Sequence, residues 1–171
     1  FAAGFYIFVY TIWLKRRTPQ NIVIGGAAGA IPPMIGWASV TGSVNLESLV
    51  LFLIIFMWTP PHFWALALYR DGDYAKAGIP MLPVVSGAKE TRRQILIYTL
   101  LLVPLTFLPV AFETAGIFYG VVTAILGAYF MWLAIQIVRK GDERSAKRLF
   151  GFSILYLFAL FAALIIDQIK L

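Results

Sequence analysis

The chain's strongest constraint is a series of apolar runs almost free of charge, each about twenty residues long. That is the length an α-helix needs to cross the hydrocarbon core of a bilayer. Complete runs are read at Ile22–Val40, Glu47–Tyr69, Ile95–Phe112, Gly116–Val138 and Leu149–Ile169, and Phe1–Leu14 has the character of the end of a sixth. They are continuous rather than alternating, which excludes the strands of a closed barrel and leaves helices to satisfy the backbone in lipid. The predicted fold class is therefore all-α: a polytopic transmembrane helical bundle with five complete helices plus the end of a sixth, residues 1–171 forming one domain.

Composition agrees. Of 171 residues, 61% are hydrophobic and only 13% charged, against about a quarter charged in an ordinary soluble domain. With no cysteine, disulfides, thiolate metal sites and cysteine nucleophiles are excluded. One histidine, His62, cannot build a multi-histidine metal site. The chain opens at Phe1 inside an apolar run, with no methionine, basic n-region or cleavage site. It is read as starting within a membrane helix, with an N-terminal part of the domain, and of its active site, expected before Phe1.

Charge placement orients the bundle. Threading the six segments puts loops 15–21, 70–94 and 139–148 on one face, and that face receives every basic residue except Lys170. By the positive-inside rule this face is cytoplasmic in a bacterial inner membrane, or faces the matrix in a mitochondrion. Basic loops at helix ends meet lipid head groups and call for no nucleic acid.

The longest loop carries the chemistry. Asp71 and Asp73 sit at the mouth of the helix ending at Tyr69, beside Arg70 and Lys76. Such a pair is either a set of solvated ion pairs or a hard oxygen site for Mg²⁺, which favours carboxylates plus substrate phosphates; neighbouring Lys and Arg would then neutralise a diphosphate. The short segment Ile79–Val85, with Pro80 and Pro83, is read as a re-entrant or interfacial lid, or an ordinary interfacial loop. In Trp58-Thr59-Pro60-Pro61-His62-Phe63-Trp64 the prolines free the carbonyls of Phe56 and Met57, and an ionisable His62 at that depth is a functional candidate or a histidine satisfied by a freed carbonyl. His62, Leu66, Tyr69 and Asp73 would share one face of an unbroken helix, with His62 roughly 16 Å below Asp73. Gly25 and Gly29 read as a close-packing pair, with Pro32-Pro33 kinking the helix beyond them. Lys15, Arg16, Arg17 and Asn21 lie on the aspartate side, either reaching a phosphate or anchoring their helix.

Four blocks in order resemble the protoheme IX farnesyltransferase (heme O synthase) family of the UbiA superfamily of intramembrane prenyltransferases. They are Tyr10-Thr11 with Leu14–Asn21, IGGAAGAIPPMIGW (Ile24–Trp37), WTPPHFWALAL (Trp58–Leu68) and DYAKAGIPMLPVV (Asp73–Val85). Arg148-Leu149-Phe150 and Ser153 to Tyr156-Leu157 extend the likeness to the last helix. The resemblance implies a UbiA-like bundle of nine helices, of which this chain supplies the end of the fourth to the ninth. It implies transfer of farnesyl from farnesyl diphosphate to a vinyl group of heme b, and Mg²⁺ held by two aspartate motifs. The first motif would precede Phe1; the second matches the loop of Asp71 and Asp73, although D-G-D here replaces the usual DxxxD spacing, which leaves room for one direct ligand, and Asp73 is favoured because it adjoins the matching YAKAGIP block. Asp73, Asp71 and His62 are thus the expected catalytic residues. Lys15, Arg16, Arg17, Asn21, Arg70, Lys76, Tyr69, Trp58 and Trp64 are the expected substrate contacts. His62 would orient the heme or coordinate its iron. The resemblance also implies association with heme A synthase or terminal oxidase assembly. A UbiA enzyme with a quinone or chlorophyll precursor as acceptor is the nearest rival reading. A transporter, whose broken helices also line midplane sites, leaves the paired aspartates unexplained.

Overall fold

The computed structural model describes residues 4–15 and 17–169. Its elements are α1 (Phe5–Leu14), α2 (Asn21–Thr41), α3 (Leu46–Tyr69), α4 (Asp71–Lys76), α5 (Leu82–Leu105), α6 (Leu108–Ala111), α7 (Ile117–Lys140) and α8 (Glu143–Ile169). Among the described residues five segments are long and apolar enough to cross a membrane, α5 and α6 counting as one over Leu82–Ala111. The predicted spans thus fall on observed helices, and the protein is an integral membrane protein.

Local sequence sets the helix ends. Asn45 Oδ1 accepts the Ser48 amide at 3.2 Å and Ser48 Oγ accepts the Asn45 amide at 3.1 Å, a reciprocal cap that starts α3. Gly141, at φ 66°, ends α7 in the left-handed region where a side chain would be strained. Asp142 then takes the Ser145 amide at 3.0 Å and opens α8. The last visible turn of α1 is wide, the Lys15 amide bonding back to the Tyr10 carbonyl at 2.8 Å.

Helix α3 is the hub. With α5, α7 and α8 it closes a ring of four, α8 returning to α3, while α2 packs on α3 and α1 on α2. The core inside the ring is built from Ile54, Trp64, Ile95, Leu102, Tyr119, Phe130, Leu149 and Tyr156, all essentially without exposure. Large apolar side chains such as Ile117, Val121, Ile125 and Phe158 face outward instead, as lipid permits.

Several expectations need correction. Helix α5 begins at Leu82 rather than Ile95, because Pro83 sits in its first turn, where a missing N–H costs nothing. Met81, Leu82 and Pro83 are buried, so the proposed lid is in part the inward-turned start of α5. Gly87 (φ 78°, ψ 163°) bends the helix one turn later. The Pro32-Pro33 pair, expected to kink α2, lies inside it, and the helix continues past the pair to Thr41. Close packing of α2 falls on Gly25, against the Tyr10 ring, and Gly26, against Thr59, whereas Gly29 faces open space.

Candidate active site along the α3–α8 seam

Helices α3 and α8 run antiparallel, so ascending α3 means descending α8. Trp58, His62 and Tyr69 follow one another up α3; Trp58 and His62 meet Ser153, His62 and Tyr69 meet Phe150, and Tyr69 meets Lys147 on α8. The seam joins three environments.

Its apolar end is a groove of about 450 Å³ lined by Gly29, Pro32, Pro33, Ile55, Trp58, Ile154, Leu157, Phe158 and Phe161. Here the prolines and Gly29 contribute wall, which explains why nothing packs on Gly29. The middle is His62, 9% exposed. Its ring stacks on Trp58 (centroids 4.3 Å apart, planes at 18°) and on Phe150 (4.7 Å, 26°), with Phe63 edge-on at 5.0 Å. His62 Nδ1 lies 2.7 Å from Ser153 Oγ, and Trp58 Nε1 donates to the Ser153 carbonyl at 2.8 Å. His62 is therefore satisfied from α8, not by a carbonyl freed within α3.

The polar end is a recess of about 510 Å³ formed by Tyr69, Arg70, Asp71, Gly72, Asp73, Glu143 and Lys147. A second recess, lined by Glu143, Arg144, Lys147 and Arg148, adjoins it through shared residues. Lys147 Nζ sits 5.5 Å from the Tyr69 ring centroid, within cation–π range, and Tyr69 meets Phe150 edge-on at 6.1 Å. Contacts are thus continuous from groove to mouth.

Helix α3 does not continue to Asp73. Arg70 leaves helical geometry (φ −124°, ψ 16°) and α4 starts anew, so the predicted single face holds only to Tyr69. Asp71 Oδ1 accepts the Gly72 amide at 2.8 Å, while Asp73 Oδ2 accepts from Arg70 Nη1 at 3.1 Å, both side chains well exposed. Burial raises the Tyr74 phenol above its ordinary value, Tyr69 adding to the shift and Arg70 opposing it; it stays a neutral hydroxyl beside the mouth. The paired aspartates leave oxygens uncommitted, and among the described residues no third carboxylate or histidine completes a protein cage. This donor set fits Mg²⁺, which takes most of its shell from water and phosphate.

The other expected residues are placed as follows. Ile22 packs with Ala67, Met81 and Tyr74, bringing the start of α2, and the turn holding Lys15 and Arg17, to the aspartate end of the bundle. Asn21 is 1% exposed; its amide donates to the Lys15 carbonyl at 3.1 Å and its Oδ1 has no partner among the described residues. Arg16 lies outside the described residues, as does Lys170. Lys76 ends α4, exposed. Trp64 does not reach the seam: it points into the core, 1% exposed and edge-on to Tyr98 at 5.2 Å. Sequence reasoning gave no role to Glu143, Lys147, Phe150 or Ser153. Their signal was the spacing Lys147, Phe150, Ser153-Ile154, Leu157-Phe158, one face of a helix.

At the opposite end, Asp167 holds the Gly116 amide and Gln168 the Thr114 carbonyl. The basic residues of α5, α7 and α8 gather at the aspartate end, where Arg92 Nη1 donates to the Gly141 carbonyl at 3.4 Å.

Comparison with known proteins gives the chain's family. The protoheme IX farnesyltransferase of Parvibaculum lavamentivorans is 66% identical over 172 residues, covering 98% of this chain and 54% of that protein. Protoheme IX farnesyltransferase 1 of Mesorhizobium japonicum is 60% identical, over 100% of this chain and 56% of its own length; that of Azorhizobium caulinodans is 57% identical, over 99% and 56%. The chain spans about half the length of these curated relatives. A solved structure from a study of digeranylgeranylglyceryl phosphate synthase in membranes superposes with a TM-score of 0.87 at 21% identity, over 98% of this chain and 59% of that one; it shares the fold. The UbiA prenyltransferase family matches residues 1–165, and the chain belongs to that family.

Proposed function

We propose that the protein transfers a farnesyl group from farnesyl diphosphate to a vinyl group of heme b, giving heme O. The observation that carries this reading is the continuous seam: a charged mouth, a histidine clamped between aromatic rings, and an apolar groove, in that order on two helices. A substrate with a diphosphate head and an isoprenoid tail has the same order, and the identity to protoheme IX farnesyltransferases favours heme over another acceptor.

In this reading Arg70 and Lys147, with Lys15, Arg17 and Lys76 from the same end and Arg16 on the strength of the sequence alone, bind the diphosphate and meet the charge that grows as the allylic C–O bond breaks. Asp71 and Asp73 are the residues that would hold Mg²⁺, whose charge would offset that of the leaving group. The electron pair of the broken bond leaves with the diphosphate. The vinyl π electrons form the new C–C bond, water adds to the resulting cation and a proton is released. Trp58 and the proline wall exclude water from the first cation. The basic end faces the cytoplasm, or the matrix, by the positive-inside rule. The product stays in the bilayer, and heme A synthase or an assembling oxidase is the neighbour expected to receive it.

The test uses the full-length protein in membranes with heme b, farnesyl diphosphate and Mg²⁺, and mass spectrometry of the extracted hemes. A heme heavier by a farnesyl group plus water is the expected result. Unchanged heme alongside prenylation of another acceptor would overturn the heme assignment.

A further inference from the structure

We infer that Ser153 is a positioning residue that fixes His62 as the Nδ1–H tautomer and leaves Nε2 as its electron-pair donor; the use of that donor rests on the proposed heme reaction. A count of protons decides the tautomer. Ser153 Oγ lies 2.6 Å from the Phe150 carbonyl and 2.7 Å from His62 Nδ1. A hydroxyl has one hydrogen, and a carbonyl only accepts. The Ser153 hydrogen therefore goes to the Phe150 oxygen; otherwise two oxygens would face each other across 2.6 Å with no hydrogen between them. Ser153 Oγ is left to accept, so His62 Nδ1 must carry a hydrogen and donate it. In the neutral ring the other nitrogen, Nε2, then bears the lone pair.

The surroundings hold this state in place. Trp58 and Phe150 cover both ring faces, so the imidazole cannot turn over to exchange its nitrogens without unstacking. Trp58 also lines the apolar groove and is tied to the Ser153 carbonyl, so one α8 residue sets the position of both ring and wall. The Nε2 pair, which Ser153 does not engage, is the one that can be given to the porphyrin iron or to a proton released in the reaction.

The experiment is nitrogen NMR of the full-length protein labelled with ¹⁵N-histidine, the His62 signals being those lost in His62→Gln. The expected spectrum shows Nδ1 protonated and Nε2 bare, a mixture or reversal in Ser153→Ala, and the original pattern in Ser153→Thr. Ser153→Ala keeps the main-chain bond from Trp58, so the helices stay joined. Heme farnesylation should fall roughly tenfold in Ser153→Ala, the size of one lost positioning hydrogen bond, and return in Ser153→Thr. A visible-spectrum change of bound heme in Ser153→Ala assigns the pair to iron; a shifted pH profile of kcat assigns it to a proton. Protonated Nε2 in the unaltered protein, or a Ser153→Ala spectrum identical to it, would overturn the inference. The expected tautomers with no heme product would leave the positioning role standing and remove the reaction.

Discussion

Asp73→Asn separates a surface ion pair from a working carboxylate. The Arg70–Asp73 contact is 3.1 Å long, but the two side chains are 61% and 66% exposed. An exposed pair of this kind contributes about 0.5 kcal/mol or less, and asparagine keeps an oxygen for Arg70. For a chain of this size that predicts a Tm change of roughly 1–2 °C. If Asp73 acts on the leaving diphosphate, loss of its charge should cost about a hundredfold or more in kcat, the scale seen when one preorganised electrostatic group is removed. Activity should therefore collapse in a protein that melts almost normally. The assay is heme O formed per unit of folded protein in membranes, beside thermal unfolding in detergent. Asp71→Asn is the companion: its Oδ1 serves the Gly72 amide, a bond asparagine preserves, so any loss there reports charge as well. Activity within about threefold of normal in Asp73→Asn would refute the reasoning, as would a loss of stability large enough to explain the inactivity.

Three further perturbations probe the frame and the mouth. Tyr119 donates at 2.9 Å to the Thr106 carbonyl, which the break between α5 and α6 leaves without a helical partner; Tyr119→Phe should cost about 1 kcal/mol in denaturant unfolding, with activity per folded molecule unchanged. A Cβ on Gly26 would stand 2.9 Å from Thr59 Cγ2, so Gly26→Val should force α2 off α3 and cost about 1–3 kcal/mol, read by thermal unfolding. Lys147→Ala should raise the KM for farnesyl diphosphate several-fold and leave that for heme unchanged. Its ion pair with Glu143 is too exposed to matter for stability.

The helices were legible because lipid imposes one rule on every span: a long apolar run with its backbone satisfied internally. Their ends were less so, since they depend on single residues. Pro83 tolerates a helix start that a proline in mid-helix would forbid, which carried α5 back through a charged stretch to Leu82. Arg70 broke α3 three residues before Asp73 with neither glycine nor proline at that position, so the extrapolated helical face ended one turn short.

The pairing of His62 with Ser153 lay beyond local reading for a different reason. The two residues are 91 positions apart, and nothing in the period of either helix says that α8 rather than α5 or α7 will face His62. What decides it is ring closure: α3 touches both α5 and α8, with Trp64 turned toward Tyr98 of α5 and Trp58 toward α8. Six positions along one helix rotate a side chain by roughly 240°, so two tryptophans that look alike in the motif must serve different sides. Trp64 then fills the core, and Trp58 is left to build the groove. The same geometry puts His62, one turn beyond Trp58, against Phe150 of α8, where Ser153 accepts its hydrogen bond.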